Sequence, residues 1–74
     1  MSDEELLALP KVRVEDAAKY LQNGTTAQEI RIKAQNGHCP FCVAIKGTGR
    51  YAYRVNIGRL IRVKQGEILE PLRG

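Results

Sequence analysis

His38-Cys39-Pro40-Phe41-Cys42 is where thiol and imidazole chemistry concentrates in this chain. Two cysteines at this spacing suit a redox pair or half of a metal site. A redox C-x-x-C places its first cysteine at a helix N-terminus, where the dipole lowers the thiol pKa. Here the motif follows a helical segment and enters a strand-like one, so the dipole points the wrong way. A structural zinc site takes four ligands. His38, Cys39 and Cys42 supply three at most, and the sequence holds no second pair, which leaves a zinc shared between two chains as the only metal arrangement. The sequence therefore predicts no metal and no cofactor, with Cys42 packed as a small core residue and Cys39 near the surface. With one histidine and no Ser-His-Asp set, it also predicts a protein that is not an enzyme.

A second group of residues has the chemistry of nucleic-acid recognition. Gln28 and Gln35 carry side-chain amides, which can bond adenine through two contacts. Arg31 can read guanine or hold a phosphate, and Lys33 suits a phosphate. Ile32 has two readings, a thymine-methyl contact or a residue buried beneath a neighbouring element. Gln28 and Gln35 can equally be plain surface residues. Thr25 and Thr26 stand where a helix would begin, so their hydroxyls and the backbone amides there suit a phosphate. Further on, Lys46, Thr48 and Arg50 surround Gly47 and Gly49, with Arg54 beyond them. The glycines permit close approach of backbone to phosphate, although an ordinary turn carrying solubilising charges has the same composition.

These groups must be positioned by the elements around them. Residues 1–9 suit a short helix capped by Ser2, with Asp3, Glu4 and Glu5 at the positive end of its dipole, and Pro10 breaks it. Val14, Ala17, Ala18 and Leu21 fall at i, i+3, i+4 and i+7, which predicts a helix over 14–21 ended at Asn23-Gly24. Thr26 and Glu29 form a T-x-x-E capping box for a helix over 26–36, and Gly37 stops it. Ala27, Ile30 and Ala34 share the face that packs on the first firm helix. Residues 41–46 and 51–55 alternate about Gly47-Thr48-Gly49, which predicts a β-hairpin with Phe41, Val43 and Ile45 on one side. Asn56 caps a short helix over 57–64, with Arg59 and Arg62 on its basic face and Gly66 at its end.

Helix, turn, helix, basic hairpin, helix is the order of a winged helix-turn-helix, an α+β fold. The second helix would be the reader in the DNA major groove and the hairpin the wing. The expected organisation is an arm over 1–10, the winged domain over 11–66 and a tail over 67–74. VEDAAKYL (14–21), EIRIKAQNG (29–37), CPFCVAIKG (39–47) and YAYRVNIGRL (51–60) resemble small phage and mobile-element proteins of the excisionase-like, MerR-like winged-helix class. The resemblance covers about two-thirds of the chain. It implies DNA binding as a transcription regulator or as an accessory factor in recombination, with an integrase as a protein partner. Two places depart from the family pattern. Arg13 stands where members place Ser or Thr before the first firm helix, and the QNGTT link is longer than a compact turn.

Charge placement agrees with a polyanion partner. The net charge is +4, and no Asp or Glu occurs from Ile30 to Gly66, a stretch that carries Arg31, Lys33, Lys46, Arg50, Arg54, Arg59, Arg62 and Lys64. Duplex DNA fits such a split better than a small acidic ligand. No apolar run approaches the roughly eighteen residues of a membrane span, and no secretory pattern is visible. The expectation is a protein of the bacterial host cytoplasm that acts as a dimer or a cooperative array, since one small domain touches few base pairs. The competing reading is a protein-interaction module that grips a host protein through Ile32 and the acidic arm Asp3 to Leu7.

Overall fold

The computed structural model describes residues 1–72; Arg73 and Gly74, the end of the expected 67–74 tail, lie outside the described residues. The fold is α+β. Helices α1 (Asp3–Ala8), α2 (Val14–Leu21) and α3 (Ala27–Gln35) lead into strands β1 (Cys42–Lys46) and β2 (Tyr51–Val55), and α4 (Ile57–Lys64) follows. The strands form one antiparallel hairpin in which Cys42 faces Val55, Ala44 faces Tyr53 and Lys46 faces Tyr51.

Helices α1, α3 and α4 each start at a side chain that accepts a backbone N–H left free at a helix end. Ser2 accepts from Glu5 at 3.2 Å, Thr26 from Glu29 at 3.2 Å and Asn56 from Arg59 at 3.0 Å. For α2 the arrangement is reversed. Arg13 has no hydroxyl to offer, and the Asp16 carboxylate accepts the Arg13 N–H at 3.0 Å. The end of α2 differs from the expectation at Asn23-Gly24. Gln22 takes the left-handed conformation first, with φ 53°, and Gly24 follows with φ 83°. The long QNGTT link thus turns twice, and the Asn23 side chain accepts the Thr25 N–H at 3.0 Å to hold it.

The core lies where α1, α2, α3, the base of the hairpin and α4 meet. Leu6, Val12, Val14, Ala17, Tyr20, Leu21, Ile30, Ala34, Phe41 and Leu60 fill it, together with both cysteines. Ile30 and Ala34 are buried and Ala27 packs against the cluster, so α3 presents the face that its spacing predicted. Leu6 is fully buried, so the arm is docked. The inward side of the hairpin is Cys42 and Ala44 with Tyr53 and Val55, and Ile45 is exposed. The larger residues Val43 and Ile45 are therefore not the core face, because the register follows Cys42 and Val55 at the hairpin base. Cys39 is buried as well, which corrects its expected place near the surface: the chain returns at Leu72 and its N–H bonds the Cys39 carbonyl at 3.0 Å.

Polar contacts tie the ends of the chain to this core. The Tyr20 ring is buried and its hydroxyl donates to Asp3 at 2.5 Å, holding α1 on α2. Lys64 of α4 places its ammonium 4.0 Å from the centre of the Tyr20 ring, a cation–π contact. Among the described residues, no helix is long and apolar enough to cross a membrane.

Candidate functional site

A groove of about 630 Å³ opens between the α1–α2 link, α3 and the hairpin. Its cations come from separate parts of the chain: Lys11 and Arg13 from the link, Arg31 from α3, and Arg50 from the hairpin loop. Glu15 also lines it, and Tyr51 and Tyr53 form its aromatic side.

Local structure explains each position. After Pro10 the chain is extended, with Arg13 at φ −100° and ψ 169°. Successive side chains in extended backbone point to opposite sides. Val12 and Val14 are buried, so Lys11 and Arg13 face out. Arg31 lies on the flank of α3 nearest α2, where its guanidinium pairs with Glu15 in the first turn of α2. Arg50 closes the hairpin loop, and its carbonyl accepts the Gly47 N–H at 2.8 Å. Tyr51 and Tyr53 stand two apart on β2 and so share a face. Their ring centres are 6.4 Å apart and tilted by 34°.

The residues expected from the sequence fall into several places. Arg31 and Arg50 meet in the groove. Gln28, Ile32 and Lys33 lie on exposed positions of α3, and Ile32 is 48% exposed. Ile32 is therefore not covered by the hairpin. Thr26 caps α3, and Thr25 lies beside it in the link. Gln35 donates from Nε2 to the Tyr53 hydroxyl at 2.6 Å, which ties the end of α3 to the hairpin. Thr48 is exposed in the loop. Arg54 is exposed on the other face of β2 from Tyr51 and Tyr53. Lys46 lines a separate groove with His38 and Gln35.

The cations of α4 are engaged within the fold. Arg59 donates from Nε to the Pro40 carbonyl at 2.6 Å and from its guanidinium to the Glu70 carbonyl. Arg62 pairs with Glu67 at 3.0 Å. That pairing raises the Arg62 pKa and lowers that of Glu67, the hydrogen bond between them being the main cause in both. Both arginines lie outside the groove.

Lys11, Arg13, Tyr51 and Tyr53 were not among the sequence candidates. The alternation of Val12 and Val14 with Lys11 and Arg13 was a signal for the first pair. The two tyrosines were readable as a strand face but not as a groove wall. Among the described residues, no three of His, Cys, Asp and Glu come together as a metal site. Comparison with protein-family models, curated proteins and solved structures gives no match.

Proposed function

We propose that this protein binds double-stranded DNA as a winged helix-turn-helix, with α3 as reader and the hairpin as wing. The observation that carries this reading is the groove in which Lys11, Arg13, Arg31 and Arg50 converge between α3 and the hairpin. Cations held on three separate elements around one concavity suit a chain of phosphates better than a single small anion. The exposed side of α3 offers Gln28 and Ile32 to base edges in the major groove, which admits a helix. The free amides at its N-terminus, beside Thr25 and Thr26, suit a phosphate. Thr48 and Arg50 on the hairpin loop reach the backbone alongside. Lys33, Lys46 and Arg54 add positive charge around this surface.

The role that follows is a transcription regulator or an accessory factor in recombination, acting as a dimer or a cooperative array, with an integrase or another protein as a further partner. Fluorescence anisotropy with duplex DNA at two salt concentrations tests the binding. Affinity should fall steeply as salt rises. Absence of binding at low salt refutes the proposal.

A second reading rests on apolar exposure. Leu7 is 62% exposed and Ile32 48%. Exposed apolar side chains suit a host-protein partner as well as a thymine methyl. Recovery of one host protein after nuclease treatment, lost on Ile32→Ser or Leu7→Ser, would favour that reading.

A further inference from the structure

The groove beside α3 holds more than cations. Tyr51 and Tyr53 form one of its sides, and duplex binding gives these rings no task. Both stand on the face of β2 that turns inward at the hairpin base. Tyr53 is half-buried and packs against the core, and the Gln35 amide donates to its hydroxyl at 2.6 Å. Its ring is therefore fixed from two sides. The Tyr51 ring lies with its centre 6.4 Å away, tilted by 34°, within the range of aromatic contact. Tyr51 is nearer the loop and 40% exposed. It is thus an open ring backed by a fixed one, and such a ring loses little freedom when a partner stacks on it.

The cations set the chemistry of that partner. Lys11 and Arg13 reach the groove from the link, and Arg50 directly precedes Tyr51 in the chain. Lys46 faces Tyr51 across the hairpin, which puts another cation beside the ring. Ring faces and positive charge together match a nucleotide, which carries a flat π-face and a phosphate. Access then selects its state. At about 630 Å³ the groove has the size of a small-molecule site, roughly 300–1,000 Å³. A duplex, whose major groove alone is about 12 Å wide, lies across such an opening and does not enter it. Paired bases also show their edges in the grooves and cover their faces with their neighbours. Only an unpaired base can lay its face on Tyr51.

We infer that the groove binds single-stranded nucleic acid, with one unpaired base stacked on Tyr51, Tyr53 as the ring behind it, and neighbouring phosphates on Lys11, Arg13 and Arg50. Glu15 is engaged by Arg31, so its carboxylate is neutralised where the strand would pass. Stacking of this kind tolerates any base, because each has a π-face. DNA and RNA strands share that chemistry. Such binding uses the groove proposed for duplex DNA but does not depend on duplex binding. The cations serve either form, whereas the rings serve only the unpaired one.

The test measures anisotropy of labelled strands with the full chain at low salt. The strands are oligothymidylate, oligouridylate and an abasic strand of equal length, which keeps the phosphates and lacks the bases. Loss of a stacked base, or of the ring beneath it, should weaken binding roughly tenfold or more. The base-bearing strand should therefore bind more tightly than the abasic one by that factor. Tyr51→Ala should abolish the difference and leave the abasic strand unchanged, whereas Tyr51→Phe, which keeps the ring, should retain it. A preference between thymidylate and uridylate assigns the strand to DNA or RNA, and equal binding assigns the groove to both. Equal affinity for all three strands, an equal loss on all three in Tyr51→Ala, or a loss in Tyr51→Phe as large as in Tyr51→Ala would overturn the inference. Duplex DNA is titrated alongside and should keep its affinity in Tyr51→Ala. Duplex binding without base preference refutes stacking alone, and base preference without duplex binding refutes the duplex proposal alone.

Discussion

The groove's charge can be titrated by substitution, and the reading of it as a phosphate track fixes the outcome in advance. Among the described residues, no carboxylate pairs with the side chains of Lys11, Arg13 and Arg50 that line it, whereas Arg31 is paired with Glu15. Three unneutralised cations predict that log affinity falls against log salt with a slope of about −2.7, at roughly −0.9 per phosphate contact. A rise from about 50 to about 200 mM salt should then weaken binding roughly 40-fold. Lys11→Ala with Arg50→Ala leaves one such cation, so the slope should shrink to about −0.9 and the loss to roughly fourfold. Both side chains are exposed, and the Gly47 bond is made by the Arg50 backbone, so the fold should be kept. Glu15→Gln works in the other direction. It frees Arg31, and the slope should steepen to about −3.6, with tighter binding at low salt. The pair it breaks is partly exposed, 33% for Arg31 and 51% for Glu15, and such pairs contribute about 0–1 kcal/mol. The assay is anisotropy of a labelled duplex across a salt series. A slope that is unchanged in the double variant, or weaker binding in Glu15→Gln, would refute the reasoning.

Arg59→Ala removes the bonds to the Pro40 and Glu70 carbonyls. Because hydrogen bonds to a charged group contribute roughly 1.5–3 kcal/mol, a loss of about 2 kcal/mol is expected in urea unfolding, with the DNA salt slope unchanged. Leu60→Ala empties a fully buried site in the core, and a loss of about 2–5 kcal/mol should bring most of this short chain to unfolding in a thermal melt. Tyr20 is raised from 10.0 to about 12 by burial first and by Asp3 second. A raised folded pKa gives stability that is complete below the unfolded value, so stability should decline from pH 10 and be lost through pH 12. Tyr20→Phe should flatten that decline in denaturation curves taken across alkaline pH.

Local signals carried most of the elements. The side-chain caps at Ser2, Thr26 and Asn56 and the apolar spacing of residues 14–21 were legible because helix starts and faces are set by neighbours in sequence. The face of the hairpin was less so. Residue size favoured Val43 and Ile45 for the core, but pairing at Cys42 and Val55 put Cys42 and Ala44 there. The site was legible only in halves. Arg31 and Arg50 came from the acid-free stretch, but the pairing of Arg31 with Glu15 joins positions 16 apart in the chain. The Gln35–Tyr53 bond spans 18 positions and the Arg59–Pro40 bond 19. Nothing in local spacing fixes such partners. The same is true of Cys39, whose carbonyl accepts the N–H of Leu72 from far along the chain.

The physical meaning of the charge split changes accordingly. Sequence composition suggested that every cation between residues 30 and 66 would serve one positive surface. The fold assigns α4 a different task. Arg59 holds the 39–42 turn and the tail, Arg62 holds Glu67, and Lys64 lies over Tyr20 and donates to the Met1 carbonyl at 3.3 Å. A small core leaves little margin, and these contacts fasten both ends of the chain to it. The groove is completed instead by Lys11 and Arg13, from a link that lies outside the acid-free stretch. What decides the strength of the groove is therefore how many cations there lack a bonded carboxylate. Glu15, the one acid among the described residues lining the groove, pairs with Arg31, and under the proposed DNA binding it would set how much of the charge of Arg31 a phosphate uses.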